Sequence, residues 1–168
     1  MIYTIHTKQK LPISVQEAWD FLSDAKNLGK ITPDEMGFDI KSGADRPIYA
    51  GQLIQYTVTP LLGIKLKWVT EIVSVVDQKL FVDEQKYGPY ALWHHKHFIN
   101  PIPGGVEMED IVDYKVPMGI LGRLAHPLLV KPKLEEIFEY RKNKLEELYG
   151  KYSAPQSDEG VTRHDILN

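Results

Sequence analysis

Tyr87-Gly-Pro-Tyr-Ala-Leu-Trp-His-His-Lys-His97, followed by Gly104-Gly-Val-Glu-Met-Glu-Asp-Ile-Val-Asp-Tyr-Lys-Val-Pro117, reads as two antiparallel strands joined by the turn Asn100-Pro-Ile-Pro-Gly104. Successive side chains of a strand point to opposite faces. Trp93, His95, His97 and Ile99 then share one face, and Leu92, His94, Lys96 and Phe98 share the other. Closing the hairpin at its Pro/Gly turn sets Trp93 opposite Val112, His95 opposite Asp110 and His97 opposite Met108. One face of the sheet thus carries a Trp, two histidines and an aspartate among apolar neighbours. That is the pattern of a polar patch inside an apolar cavity.

The same alternation runs backwards along the chain. Phe81, Asp83 and Gln85 fall on one face of the preceding strand, and Leu66, Trp68, Thr70 and Ile72 on one face of the strand before it. The alternate residues Lys65, Lys67 and Glu71 prefer water, so both sets read as inner faces. Further strands are expected at Ile2 to Leu11, Phe38 to Ile40, Leu53 to Thr59 and Val106 to Val116. Turn chemistry separates them at Gly43 to Pro47, Pro60 to Gly63, Val76 to Gln78, Gly88-Pro89 and Pro101 to Gly105. Such short links imply an antiparallel meander.

Helical text frames the strands. Ser14-Val-Gln-Glu17 has the form of a capping box, and Ala18, Trp19, Phe21, Leu22 and Ala25 follow as an apolar stripe. Asp24 to Pro33 reads as a second short helix or turn. Leu134, Ile137, Phe138, Arg141, Leu145 and Leu148 mark one face of a long helix from about Pro132 to Tyr149, with Gly150 as its C-cap. The apolar stretch Met118 to Lys131 precedes it. Pro127 and glycines 119 and 122 argue there against one smooth helix, and its expected role is packing at the open end of the sheet; a lid or a membrane-touching element is the alternative. His126 reads as a surface or packing residue. Lys151 to Asn168 is polar and reads as a disordered tail.

A chain of 168 residues fits a single domain at 1–150 plus that tail. It contains no cysteine, which excludes disulfides and thiolate chemistry and suits a reducing cytoplasm. The Met-Ile-Tyr-Thr-Ile-His stretch lacks a charged n-region and an apolar h-region, so no signal peptide is expected in it, and no run is long enough to span a bilayer. Net charge is −3 with interspersed signs, which gives no electrostatic reason to expect nucleic acid. There is no phosphate-cradling glycine loop, nucleophile elbow, zinc cysteine pattern or dinucleotide fingerprint.

Taken in order, Trp68/Thr70/Ile72, Phe81 to Gln85, Gly88 to Tyr90, Trp93/His95/His97, Asp110/Val112/Tyr114 and Pro117 to Gly122 form a series. Asn27-Leu28, Ile31-Thr32-Pro33 and Gly51-x-x-Ile54-x-Tyr56 fit the same series. In these motifs the chain resembles the SRPBCC superfamily, the START-like or helix-grip proteins, over about residues 7 to 149. Ile99 departs from it, standing where an aromatic residue is more usual. The resemblance implies an α+β helix-grip fold: a curved antiparallel sheet wrapped around a long C-terminal helix, with two short helices after the first strand. It also implies a hydrophobic ligand cavity beneath that helix. Lipid carriers, hormone receptors, polyketide cyclases and oxygenase domains all belong to the superfamily.

The expected function is therefore binding of a small hydrophobic or amphipathic molecule between sheet and helix. Tyr56, Trp68, Phe81, Trp93, Val112 and Tyr114 supply apolar wall, and Asp83, His95, His97 and Asp110 supply orientation. The same four polar residues also fit a structural network, since a buried carboxylate has to be paired. A polyketide cyclase-like enzyme is the catalytic alternative, with His95 or His97 as general base and Asp110 fixing its tautomer. A non-catalytic accessory or partner-binding domain is the third reading. His-x-His near aspartates offers metal-ligand types, but no further spacing fixes a geometry, so neither metal nor cofactor is assigned. The expected partner is a small hydrophobic molecule, with no nucleic acid and no stable membrane insertion; oligomeric state is not legible.

Overall fold

The structure, a computed structural model, describes residues 1–59 and 63–155. Strand β1 (Tyr3–Leu11) runs into helix α1 (Val15–Ser23) and two 3-10 turns, Ala25–Ile31 and Asp34–Met36. The meander follows as β2 (Asp39–Ser42), β3 (Leu53–Val58), β4 (Leu66–Val76), β5 (Leu80–Tyr87), β6 (Leu92–Ile102) and β7 (Gly105–Lys115). It ends in α2 (Gly119–Ala125), a π-helical stretch (His126–Val130) and α3 (Lys131–Tyr149). The expected turn Pro60 to Gly63 falls mostly outside the described residues, as does the tail from residue 156. Residues 151–155 lie along the β6–β7 turn, where the Tyr152 hydroxyl donates to the Pro103 carbonyl at 2.6 Å.

The seven strands form one antiparallel sheet in the order β1-β7-β6-β5-β4-β3-β2. The chain has the helix-grip architecture expected of it, an open curved sheet with a long C-terminal helix against it. Two register shifts between β4 and β5, at Val69/Thr70 and Ile72/Ser74, bend the sheet about its middle. Inner and outer faces differ as the alternation predicts. Trp68, Thr70 and Ile72 of β4 and Val106, Met108 and Val112 of β7 are buried on the inner face. The outer face is laced by cross-strand pairs such as Lys96–Asp113 (2.9 Å) and Lys86–Glu71 (2.8 Å). The capping box forms: Ser14 Oγ accepts from Glu17 N, and Glu17 Oε2 accepts from Ser14 N at 2.9 Å.

The hairpin register differs from the sequence expectation by two residues. β6 continues through Pro101 to Ile102, and the turn is Pro103-Gly104, with Gly104 in the left-handed region at φ +75°. Trp93 therefore pairs with Tyr114, His95 with Val112 and His97 with Asp110. Pro101 is tolerated because β5 pairs with β6 only as far as Phe98, so its missing N–H costs no ladder bond on that side. A slip of two preserves the faces, since the side-chain period is two.

The segment before α3 differs more. The chain is helical from Gly119 to Tyr149, widened rather than broken around Pro127, and the Lys131 N–H donates five residues back to the His126 carbonyl. The π turn absorbs the proline's missing N–H. Packing at the end of the sheet is not what this segment does: Met118, Ile120, Leu121, Leu124, Leu128 and Leu129 are exposed. The buried side is taken instead by His126, whose ring stacks on Tyr3 at 3.6 Å and bonds the Tyr114 hydroxyl at 2.7 Å. His126 is thus an interior packing residue.

The Ser14 cap closes the helix that seals one end of the core. Ser14→Ala is expected to lower stability by about 1 kcal/mol, read as a lower urea midpoint with an unchanged slope; an unaltered midpoint would show the cap to be idle.

Candidate functional site

Between the concave face of the sheet and α3 lies a cavity of about 180 Å³. Its walls come from β3 to β6 through Ile54, Tyr56, Trp68, Thr70, Ile72, Phe81 and Trp93. Leu28, Ile31, Met36 and Phe38, from the 3-10 region and the loop before β2, close one side, and Leu134, Ile137 and Phe138 of α3 form the roof. Asp83, His95, His97 and Arg141 are the ionisable lining apart from Asp24 and two tyrosines.

One wall is a packed aromatic set. Tyr56 stacks on Trp68 (5.8 Å, 16°), and Trp93 meets Trp68 edge-on at 5.4 Å. Tyr90 sits against both indoles. Thr70 Oγ1 takes the Trp68 indole N–H at 3.0 Å and lies 3.3 Å from the Tyr56 hydroxyl, so the polar tips of both rings are satisfied inside the wall. Burial pushes the Tyr56 and Tyr90 hydroxyls well above their ordinary pKa, and both stay neutral.

The polar end is a network of two carboxylates, two imidazoles and one guanidinium. His97 Nε2 lies 2.9 Å from Asp83 Oδ2, and His95 Nε2 lies 3.0 Å from Asp110 Oδ1. His97 Nδ1 is 2.8 Å from that same Asp110 oxygen but too far out of line for a good hydrogen bond. Arg141 Nη1 reaches it at 3.5 Å, with its guanidinium over the Phe138 ring and its Nε unpartnered. The imidazoles lie ring to ring at 3.7 Å, and Phe81 stacks on the far side of His97 at 4.0 Å.

These contacts set the charges. Burial opposes charge on His97, but Asp110 and Asp83 outweigh it and hold its pKa above the ordinary value. Burial and the neighbouring His97 charge push His95 down to about 4, so it is neutral at pH 7. Burial also opposes charge on Asp110 and Asp83, yet hydrogen bonds from the imidazoles and the Arg141 charge hold both below the usual carboxylate range. Two carboxylates thus face a guanidinium and a His97 held toward its charged form, so opposite charges confront one another at this end of the cavity. The ligand-type atoms of Asp83, His95 and His97 lie within 4.8 Å of one another, a metal-like grouping in which His97 is hydrogen-bonded to Asp83 and His95 to Asp110.

Of the residues expected from the sequence, Tyr56, Trp68, Phe81, Asp83, Trp93, His95 and His97 line the cavity. Asp110 stands behind the histidines, facing a smaller hollow of about 30 Å³. Val112 and Tyr114 do not line the cavity: its sheet wall ends at β6, and these two β7 residues pack in a separate core with Val116, Leu134 and Phe138. Arg141 was not expected in the site, although a charge on the apolar stripe of α3 was the visible signal. Nothing in the strand pattern pointed to the 3-10 residues that close the side.

No family model matches the chain, and no curated protein matches it. Solved structures do. A START superfamily protein from Mycobacterium smegmatis matches at 15% identity and TM-score 0.62, over 86% of this chain and 98% of the other. A norcoclaurine synthase point mutant from Thalictrum flavum, in complex with a transition-state analogue, matches at 14% and 0.62, over 88% and 96%. A protein from Chromobacterium violaceum matches at 12% and 0.68, over 89% and 99%. The chain has the SRPBCC-type, START-like fold. Among the described residues no helix is long and apolar enough to cross a membrane.

The charges predict a stability maximum. His97, raised when folded, contributes fully below about pH 6.5 and less as pH climbs through its folded value. His95, lowered to about 4, works the opposite way: the unfolded chain takes up the proton first, so stability falls from about pH 6.5 toward 4. Asp83 and Asp110 stabilise above their unfolded value near 3.8, and that contribution is lost as pH falls through their lower folded values. The unfolding midpoint should peak near pH 6.5, and His95→Asn should flatten the decline on its acid side. Equal acid slopes for both proteins would refute the assignment. Asp110→Ala, which strands Arg141 and takes the hydrogen-bond partner from His95 Nε2, should cost about 3–5 kcal/mol in denaturant unfolding.

Proposed function

We propose that this protein binds a small hydrophobic or amphipathic molecule in the cavity between sheet and α3. The observation that carries the reading is an apolar cavity with a single charge-balanced polar end. Such a combination orients a ligand. An apolar cavity of about 150 Å³ accepts benzene, so about 180 Å³ suits a one- or two-ring molecule at the volume present. The aromatic wall of Tyr56, Trp68 and Trp93 favours a flat ligand stacked on it. The unpartnered Arg141 Nε favours a polar acceptor at one end of the molecule. The absence of cysteine supports placing this activity in the cytoplasm.

A cyclase-like enzyme is the second reading, and one observation favours it. His95 lines the cavity and is neutral, and donating from Nε2 to Asp110 leaves its Nδ1 a proton acceptor, 3.6 Å from Asp83 Oδ2. The norcoclaurine synthase complex, a similar fold holding a transition-state analogue, supports such a use of the architecture. Binding remains the better reading, because Asp83 and Asp110 flank both nitrogens of each histidine. A purely accessory, partner-binding role leaves the cavity without an explanation.

Mass spectra of the freshly purified protein under native and denaturing conditions test the proposal directly, with titration of 2-naphthol by tryptophan quenching alongside. A released small mass or saturable quenching is expected, and Ile137→Trp, which fills the roof, should weaken naphthol binding at least tenfold. An empty protein that takes up no naphthol would overturn the binding reading. His95→Asn separates the two functions: a carrier keeps its affinity, whereas an enzyme keeps affinity and loses turnover together with its pH profile.

A further inference from the structure

The helical segment ahead of α3 is built inside out. Its buried side holds His126, fixed by Tyr3 and Tyr114, while its outer side presents Met118 (73% exposed), Leu121 (65%), Leu124 (66%) and Leu128 (76%). Leu121, Leu124 and Leu128 are three and four residues apart, so they form one ridge, and Ile120 adjoins it. The His126 anchor prevents this ridge from rolling inward. Apolar groups collected this way on a surface mark a contact with something else.

Charge identifies the occupant. From Lys115 to Leu134 the chain has four basic residues, Lys115, Arg123, Lys131 and Lys133, and no acidic one, although the whole protein is net −3. Lys131 and Lys133 are partly engaged by Glu135, Glu136 and Glu35. Arg123 is exposed on the flank of the ridge, next in sequence to Leu124, and makes no ion pair among the described residues. A two-fold contact with a second copy would bring equal cations together with no carboxylate on the segment to receive them. An anionic lipid surface satisfies both features, apolar residues entering the headgroup boundary and cations meeting phosphate.

We propose that the ridge Met118 to Leu128 docks the protein on an anionic membrane surface, lying in the interface rather than crossing it. The docked segment continues without a break into α3, whose Leu134, Ile137 and Phe138 roof the cavity. The docking proposal stands on its own observations and does not require the cavity to hold a ligand.

Sedimentation with phosphatidylglycerol–phosphatidylcholine vesicles, compared with phosphatidylcholine alone, tests it. The folded wild type should sediment with the anionic vesicles at low salt and be released as salt rises. Arg123→Glu should weaken binding by about fivefold or more, the effect of one surface cation, and reduce the salt dependence. Leu121→Gln/Leu124→Gln should weaken it at least tenfold while leaving the thermal midpoint unchanged, since both positions are exposed. Failure of the wild type to bind anionic vesicles, or equal binding to both vesicle types, would overturn the proposal. So would a double variant that sediments like the wild type, or light scattering that shows a dimer split by the double substitution, which would assign the ridge to a second copy.

Discussion

A single oxygen, Asp110 Oδ1, has three side-chain nitrogens gathered around it: those of His95 and His97 from β6 and Arg141 from α3. Through His97 the same network reaches Asp83 on β5. Three strands and the long helix are therefore tied at one buried point. A carboxylate there is tolerable only if its neighbours neutralise it. Apolar residues of similar volume would hold the elements together as well or better, so stability alone does not explain the arrangement. What the network supplies is a fixed spacing. The Arg141 side chain stands between helix and sheet with Phe138 beneath its guanidinium, and this limits how far α3 can settle onto the strands. The cavity lies beside that spacer.

The opposite wall works by a different principle. Tyr56, Trp68, Tyr90 and Trp93 pack ring against ring, and Thr70 satisfies the two polar tips nearest it. Rings braced by one another resist filling the space in front of them, whereas flexible aliphatic side chains would collapse into it. A rigid aromatic side and a charge-balanced polar side thus bound the same void. Between them lie aliphatic groups that a ligand can touch at little desolvation cost.

Much of this was legible because strand periodicity is strict. The alternation around Trp93, His95 and His97 assigned the inner face correctly even with the hairpin register two residues off, since an even slip changes partners but not faces. What alternation could not show was how many strands the wall spans: it stops at β6, so Val112 and Tyr114, on the inner face of β7, lie in a neighbouring core instead. Helical stripes carry less information: Arg141 fell on the apolar face of α3, but periodicity cannot say that a charge there meets a carboxylate from another strand. The 3-10 region was legible as a turn and illegible as a wall, because its side chains acquire a role only when the sheet curves over them.

The segment ahead of α3 shows where hydropathy misleads. A run of leucines usually signals burial, yet here a histidine takes the interior position and the leucines face water. The reason is local. Pro127 forces the π turn, the turn widens the helix at His126, and the imidazole there finds both a ring to stack on and a hydroxyl to bond. Burial and the nearby Lys131 lower the His126 pKa, so the neutral ring can remain in place near pH 7. Once that ring is seated, the leucines on the other face have nowhere to go but outward. One buried polar contact thus decides the orientation of an entire apolar surface.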